Sequence, residues 1–160
     1  MNKQLLHKKI VQVLEDACVV AIDAAKQAHD TATNKESIAE NKYDTFGLEA
    51  SYLAHGQAKR VAEYEEALVA YKALGLVNSS GESSIELGSL IQLEDEEGAT
   101  QCLFLGPFAG GLKFDFEGKK VTLITTSSPL GQALLGQFVG DGVEMKLSGQ
   151  NKSYQIMAIY

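Results

Sequence analysis

Hydrophobic residues recur every three or four positions through the first half of the chain. One such seam runs through Leu6, Ile10, Val13, Ala17, Val20, Ala24 and Ala28. A second runs through Phe46, Ala50, Leu53, Gln57, Val61, Tyr64, Leu68 and Tyr71. This spacing is typical of amphipathic helices that pack along an a/d seam. Because only the short polar segment 30–37 separates the seams, the pattern predicts an antiparallel helical hairpin with arms of about 45 Å.

The second half of the chain changes to short β-rich runs separated by turn residues. The predicted strands are 85–93, 100–105, 112–116, 121–126, 143–147 and 154–159. Between the fourth and fifth runs, Ser128, Pro129 and Gly136 have the spacing of the N-cap, the first residue and the stop of one short helix. Several strands around one helix predict a small α+β domain.

Composition places a boundary between these halves. Twelve of the 15 glycines and both prolines follow residue 75, and the stretch up to residue 84 is rich in Ser and Gly. We predict a coiled-coil hairpin over 1–75, a linker over 76–84 and a globular domain over 85–160. The predicted fold class is α+β.

Charge and cysteine content exclude several classes of protein. Because its net charge is -7, the chain is a poor candidate for binding a phosphate backbone across its whole surface. Cys18 and Cys102 lie far apart in apolar runs, which indicates buried free thiols of a reducing compartment. The longest unbroken apolar run, 17–22, is too short to span a membrane, and no secretory signal is evident. We therefore expect a cytoplasmic protein without a membrane partner.

Candidate chemistry is confined to the segment between the two helices. No common catalytic or nucleotide-binding motif occurs in the sequence, so a freestanding enzyme is the least expected class. Glu36, Glu40 and Asp44 are spaced i, i+4, i+8 and would share one face of a continuous helix. Clustered carboxylates are suitable ligands for Mg²⁺. Ser37 and Glu40 also have the spacing of a capping box, which is a purely structural explanation.

Three segments near the C-terminus read S-P-L-G-Q-A-L-L-G at 128–136, V-G-D-G-V at 139–143 and Y-Q-I-M-A-I at 154–159. In this order they resemble the end of the bacterial Gre-type transcription elongation factors. The family pattern there is S-P-(L/I)-x-x-A-L-(L/I)-G, then V-G-D-x-V, then Y-x-I-x-x-I. The first half is similar to the long antiparallel coiled coil of the family, so the resemblance extends over nearly the whole chain.

The resemblance implies a coiled-coil hairpin joined to an FKBP-like α+β domain, in a factor that binds RNA polymerase. In such factors the globular domain holds the rim of the secondary channel, and the hairpin reaches the active centre. Tip carboxylates there help to hold a second Mg²⁺, so that the polymerase's own site cleaves backtracked RNA. The contacts implied for this chain are Ser127, Ser128, Pro129 and Leu130. Of the expected metal ligands, Glu40 and Asp44, only Glu40 matches a family position; Asp44 and the further tip candidate Glu36 could compensate from other positions.

The tip departs from the family pattern D-x-x-E-N. Aligned on Glu40 and Asn41, the Asp of the family falls on Ser37, which is a poor metal ligand. Two versions stay open: a factor that stimulates RNA cleavage, and a regulator that occupies the channel without cleaving. A scaffold protein whose hairpin dimerises is the alternative from another class. We expect a monomer that holds no cofactor on its own and contacts nascent RNA only indirectly.

Overall fold

The computed structural model describes residues 2–34, 45–75, 83–147 and 150–160. The described helices are α1 (Lys3–Thr33), α2 (Phe46–Ala73) and α3 (Pro129–Leu134). The strands are β1 (Leu90–Asp95), β2 (Thr100–Gly106), β3 (Lys113–Phe116), β4 (Lys119–Thr125), β5 (Gly142–Leu147) and β6 (Gln150–Ile159). Two long helices precede one mixed sheet, which confirms the α+β fold class. The chain divides into two compact units, Gln12–Val69 and Met1–Val11 together with Ala70–Tyr160.

In the unit Gln12–Val69, α1 and α2 run antiparallel as predicted. Residues 25–30 of α1 share a groove with 54–58 of α2. The earlier stretch 16–24 of α1 shares another groove with the later stretch 57–64 of α2. With 31 and 28 residues, the two helices are about 46 Å and 42 Å long.

The inward face of α2 agrees with the predicted seam except near its start. The predicted positions that are buried or half-buried are Ala50, Gln57, Val61, Tyr64, Leu68 and Tyr71. Phe46 and Leu53 are both 55% exposed, so the prediction was wrong for them. The smaller Gly47 and Ala54 are half-buried in that part of the helix.

The predicted seam of α1 was wrong in the middle of the helix. Leu14, Cys18 and Ala21 are buried, whereas the predicted seam residue Val20 is 69% exposed. Two apolar stripes lie side by side on α1, one position apart, and both have helical spacing. Periodicity cannot choose between adjacent stripes of this kind, because the choice depends on where the partner helix lies.

The sheet has the strand order β3-β4-β2-β1-β6-β5. Neighbouring strands are antiparallel except β2 and β4, which are parallel. The first predicted strand begins five residues too early, since β1 starts at Leu90. Ile85 instead exchanges backbone hydrogen bonds of 2.8 Å with Gly136 and Gln137, just beyond α3.

Both faces of the sheet carry buried side chains. On the face that packs against α3, the core consists of Ile85, Ile91, Leu93, Leu103, Leu105, Ile124, Leu134, Val143, Ile156 and Ile159. Leu90, Phe104, Val121 and Leu123 occupy other strand positions and are also buried. Strand residues that alternate between faces are all buried only when both faces are covered.

Tyr71, near the end of α2, packs against the sheet at Phe104. The two ring centroids are 6.2 Å apart, and Tyr71 Oη donates a 3.1 Å hydrogen bond to the carbonyl of Phe108. His7 Nε2 lies 2.6 Å from the Tyr71 carbonyl oxygen. Burial raises the pKa of the Tyr71 hydroxyl, because the charged phenolate would lose its hydration. The first turns of α1 and the last turn of α2 are therefore part of the unit that holds the sheet.

The predicted linker, 76–84, lies mostly outside the described residues, as does the turn at 148–149. The domain boundaries at 75 and 84 therefore stay a prediction.

Candidate functional site

The loop between β4 and α3 is organised by the hydroxyl of Ser128. Ser128 has extended backbone angles (φ -75°, ψ 149°), and its Oγ accepts a 3.1 Å hydrogen bond from the Gly131 amide. The same Oγ donates to the Thr125 carbonyl at 2.7 Å. Pro129 follows at the start of the helix, where a missing N–H costs nothing. Ser128 is thus the predicted N-cap, and both ends of its loop are tied together through one side chain.

Gly131 permits the close approach of α3 to the end of β4. A Cβ atom added at Gly131 would overlap the Thr125 carbonyl oxygen and would lie 2.8 Å from its carbonyl carbon. Any larger residue would push α3 away from β4, which would stretch the hydrogen bonds that Ser128 makes. The loop geometry therefore depends on glycine at this position.

The four predicted contact residues of this loop point in two directions. Ser127 and Pro129 are exposed, whereas Ser128 and Leu130 are half-buried. The Ser128 hydroxyl is already used for the helix cap, and Leu130 packs against the hydrophobic core. Ser127 and Pro129 are therefore the members of the predicted set whose side chains face solvent.

Gln132 also belongs to this surface, although it was not among the residues predicted from the sequence. Gln132 is exposed, and its Nε2 lies 3.5 Å from the Ser127 carbonyl oxygen. Its position, three residues after Pro129 on α3, places both side chains on one face of the helix. This helical spacing was visible in the sequence and is the signal that could have identified it.

The predicted tip residues cannot be placed in the same way. Glu36, Ser37, Glu40 and Asp44 lie outside the described residues, so the metal site and the capping box both stay predictions. Just beyond them, α2 begins at Phe46, and the Thr45 hydroxyl donates a 2.8 Å hydrogen bond to the Glu49 carboxylate.

Elsewhere, the described residues offer little metal chemistry. His29, Asp30 and His55 line one groove of about 580 Å³ between the two long helices, among alanines. Nevertheless, no group of three or more His, Cys, Asp or Glu side chains in the described part of the chain is placed to hold a metal ion. Cys18 and Cys102 are both buried and free, as predicted. Within the same part of the chain, no helix is long and apolar enough to cross a membrane.

Known proteins resemble the chain along most of its length. Residues 80–160 match a family described as transcription elongation factor, GreA/GreB, C-terminal. GreA of Methylobacterium nodulans is 29% identical over 159 residues, which cover 99% of this chain and 89% of that protein. GreA of Sinorhizobium medicae is 28% identical over 130 residues, 78% of each protein. The crystal structure of GreA factor homolog 1 of Thermus thermophilus is 18% identical, with 94% of both chains covered and a TM-score of 0.39.

Proposed function

Because the chain belongs to the GreA/GreB family of transcription elongation factors, and is thus a non-enzymatic factor that acts on RNA polymerase, we propose that it binds the rim of the secondary channel. We assign the contact to the loop 127–130. The observation that carries this proposal is the Ser128 cap: the family's Ser-Pro pattern falls on Ser128 and Pro129, and the cap leaves Pro129 and the preceding Ser127 exposed.

A preorganised loop suits this role. The Ser128 hydrogen bonds and the close contact at Gly131 hold the loop before any partner arrives. Binding then immobilises few additional rotatable bonds of the loop, so less conformational entropy is lost than with a flexible loop.

We further propose that the helical hairpin enters the secondary channel. The parts of α1 and α2 that lie in the unit Gln12–Val69 are about 33 Å and 36 Å long at 1.5 Å per residue, which is a suitable length for reaching a buried active centre. The proposed factor acts as a monomer in the bacterial cytoplasm. The overall charge of -7 supports only indirect contact with nascent RNA.

The effect on RNA cleavage depends on the tip. Glu36, Glu40 and Asp44 supply carboxylate oxygens, the ligand type that Mg²⁺ prefers. A second Mg²⁺ held there together with the polymerase would help to activate water for phosphodiester hydrolysis. Ser37, at the family's Asp position, favours the second version of the proposal, in which the hairpin occupies the channel without stimulating cleavage.

A transcript-cleavage assay on backtracked elongation complexes separates these versions. Wild type is compared with Glu36→Ala, Glu40→Ala and Asp44→Ala. Glu63→Ala serves as a control, because Glu63 is an exposed acid on α2 and its ion pair with Lys59 is a 3.9 Å surface contact. For a cleavage factor, at least one tip variant should lower the cleavage rate more than about tenfold while Glu63→Ala does not.

A second result identifies the non-cleaving version. In that case the wild type stimulates no cleavage, but it displaces an authentic cleavage factor from the polymerase. If the protein neither stimulates cleavage nor competes for the polymerase, the secondary-channel proposal is wrong.

A further inference from the structure

A long stretch around α3 has no ionisable side chain. Residues 121–140 contain no Asp, Glu, Lys, Arg or His, although charged residues make up 22% of the chain. At that average, a stretch of this length would carry about four charges. The stretch contains most of β4, the loop 127–130, α3 and the turn that follows it.

The outward face of α3 continues the surface that begins in the loop. Pro129, Gln132 and Leu135 follow one another at intervals of three residues, and all are exposed, Leu135 at 47%. Leu134 is buried, and Leu130 and Ala133 pack against the core. One face of the short helix therefore belongs to the core, and the other presents a neutral stripe to solvent.

The turn after α3 holds two more apolar side chains in solvent. The Phe138 amide donates a 2.8 Å hydrogen bond to the Asp141 carboxylate, and the Asp141 amide donates one of 3.1 Å to the Phe138 carbonyl. Phe138 and Val139 are nevertheless 50% and 43% exposed. These bonds hold the backbone of the turn, so the turn presents the Phe138 ring to solvent.

We propose that RNA polymerase covers this whole uncharged surface, so that the contact extends beyond loop 127–130. The uncharged surface is defined by Ser127, Pro129, Gln132, Leu135, Phe138 and Val139.

The centre of a protein interface is depleted in charged residues and enriched in aromatic ones, and exposed apolar side chains are stabilised when a partner covers them. RNA polymerase is the occupant because it is the partner on which this family acts. The surface is also continuous along the chain with the proposed contact loop. The complementary patch on the polymerase must itself be apolar and uncharged. This inference rests on the proposed function.

Affinity measurements on the full-length chain test the inference. Leu135→Ser and Phe138→Ser remove apolar contacts, and Gln132→Lys adds a charge at a position outside the core. Leu87→Ser is the matched control, because Leu87 is also exposed, at 38%, but lies outside the uncharged surface. Each of the three variants should weaken binding to RNA polymerase by about tenfold or more, whereas Leu87→Ser should bind like wild type. Circular dichroism melting curves verify that each variant is folded.

Pro129→Ala distinguishes the possible failures. If Pro129→Ala weakens binding and the three variants do not, the contact stops at the loop and the extended surface is refuted, while the proposed function stands. If none of the four changes weakens binding, both proposals fail. A wild type that sediments as a dimer, and becomes monomeric with Phe138→Ser at unchanged polymerase affinity, would assign the surface to a second copy of the chain and overturn the inference.

Discussion

At the scale of single residues, two glycines determine how closely neighbouring elements approach. Gly131 lets α3 approach the Thr125 carbonyl closely, and Gly106 lies against the hydroxyl end of the Tyr71 ring. A Cβ atom at Gly106 would overlap the Tyr71 hydroxyl oxygen and lie 2.7 Å from the carbon that carries it. Tyr71 is fully buried and its hydroxyl is hydrogen-bonded to the Phe108 carbonyl, so a shift of its ring would disturb packed neighbours.

Replacing Gly106 by alanine should therefore destabilise the protein. We expect Gly106→Ala to lower the free energy of unfolding by about 1–3 kcal/mol, since a single methyl group forces a packed ring to shift. Gly142→Ala is the control, because an added Cβ there meets no atom within 4 Å. Urea unfolding followed by circular dichroism measures both. Equal stability of Gly106→Ala and wild type would mean that the ring can move aside.

At the scale of elements, α1 shows how a helix with two apolar stripes selects one. The stripe through Leu14, Cys18 and Ala21 is buried, and the adjacent stripe through Val20 borders an open groove with Arg60 and Tyr64 of α2. Both stripes satisfy helical periodicity. The buried stripe begins at Leu14, which is fully buried, whereas Val13 in the adjacent stripe is half-buried.

The choice of stripe has a measurable consequence. Leu14→Ala should lower the free energy of unfolding by about 2–5 kcal/mol, because it leaves a cavity at a fully buried position. Val20→Ala should change it by less than about 0.5 kcal/mol, because Val20 already faces solvent. Comparable losses for the two variants in urea unfolding would favour the register predicted from the sequence.

At the scale of the whole molecule, each of the two long helices is divided between the two compact units. Residues 3–11 of α1 and 70–73 of α2 belong to the same compact unit as the sheet. Leu6 and Ile10 are fully buried there, and His7 meets the backbone of Tyr71. The stability of the sheet therefore depends on the two ends of a hairpin that is otherwise a separate unit.

Hydrogen exchange at backbone amides of the sheet measures how strongly its stability depends on the helix ends. The double variant Leu6→Ala/Ile10→Ala should lower the free energy of unfolding by about 4 kcal/mol or more and speed hydrogen exchange at the β1 and β2 amides. The control Leu5→Ala/Lys9→Ala alters neighbouring residues that are exposed. Unchanged exchange in β1 and β2 with the buried pair replaced would show that the sheet folds without the helix ends.

The sequence alone determined those features that depend on local chemistry. The two long helices, the strand segments along the second half of the chain, the Ser128 cap and the α+β class all follow from signals within a few residues of one another. The motif in 128–136 also identified the family, because specific residues at fixed spacing survive when overall identity is low.

Which of several equivalent faces is buried depends on contacts between elements that are far apart in the sequence. The tertiary structure selected the stripe of α1, it showed that Leu130 belongs to the core while Gln132 faces solvent, and it joined the helix ends to the sheet. The physical reason is common to all three cases. Periodicity specifies that a face is apolar, but burial is a property of two surfaces in contact, and the second surface lies far away along the chain.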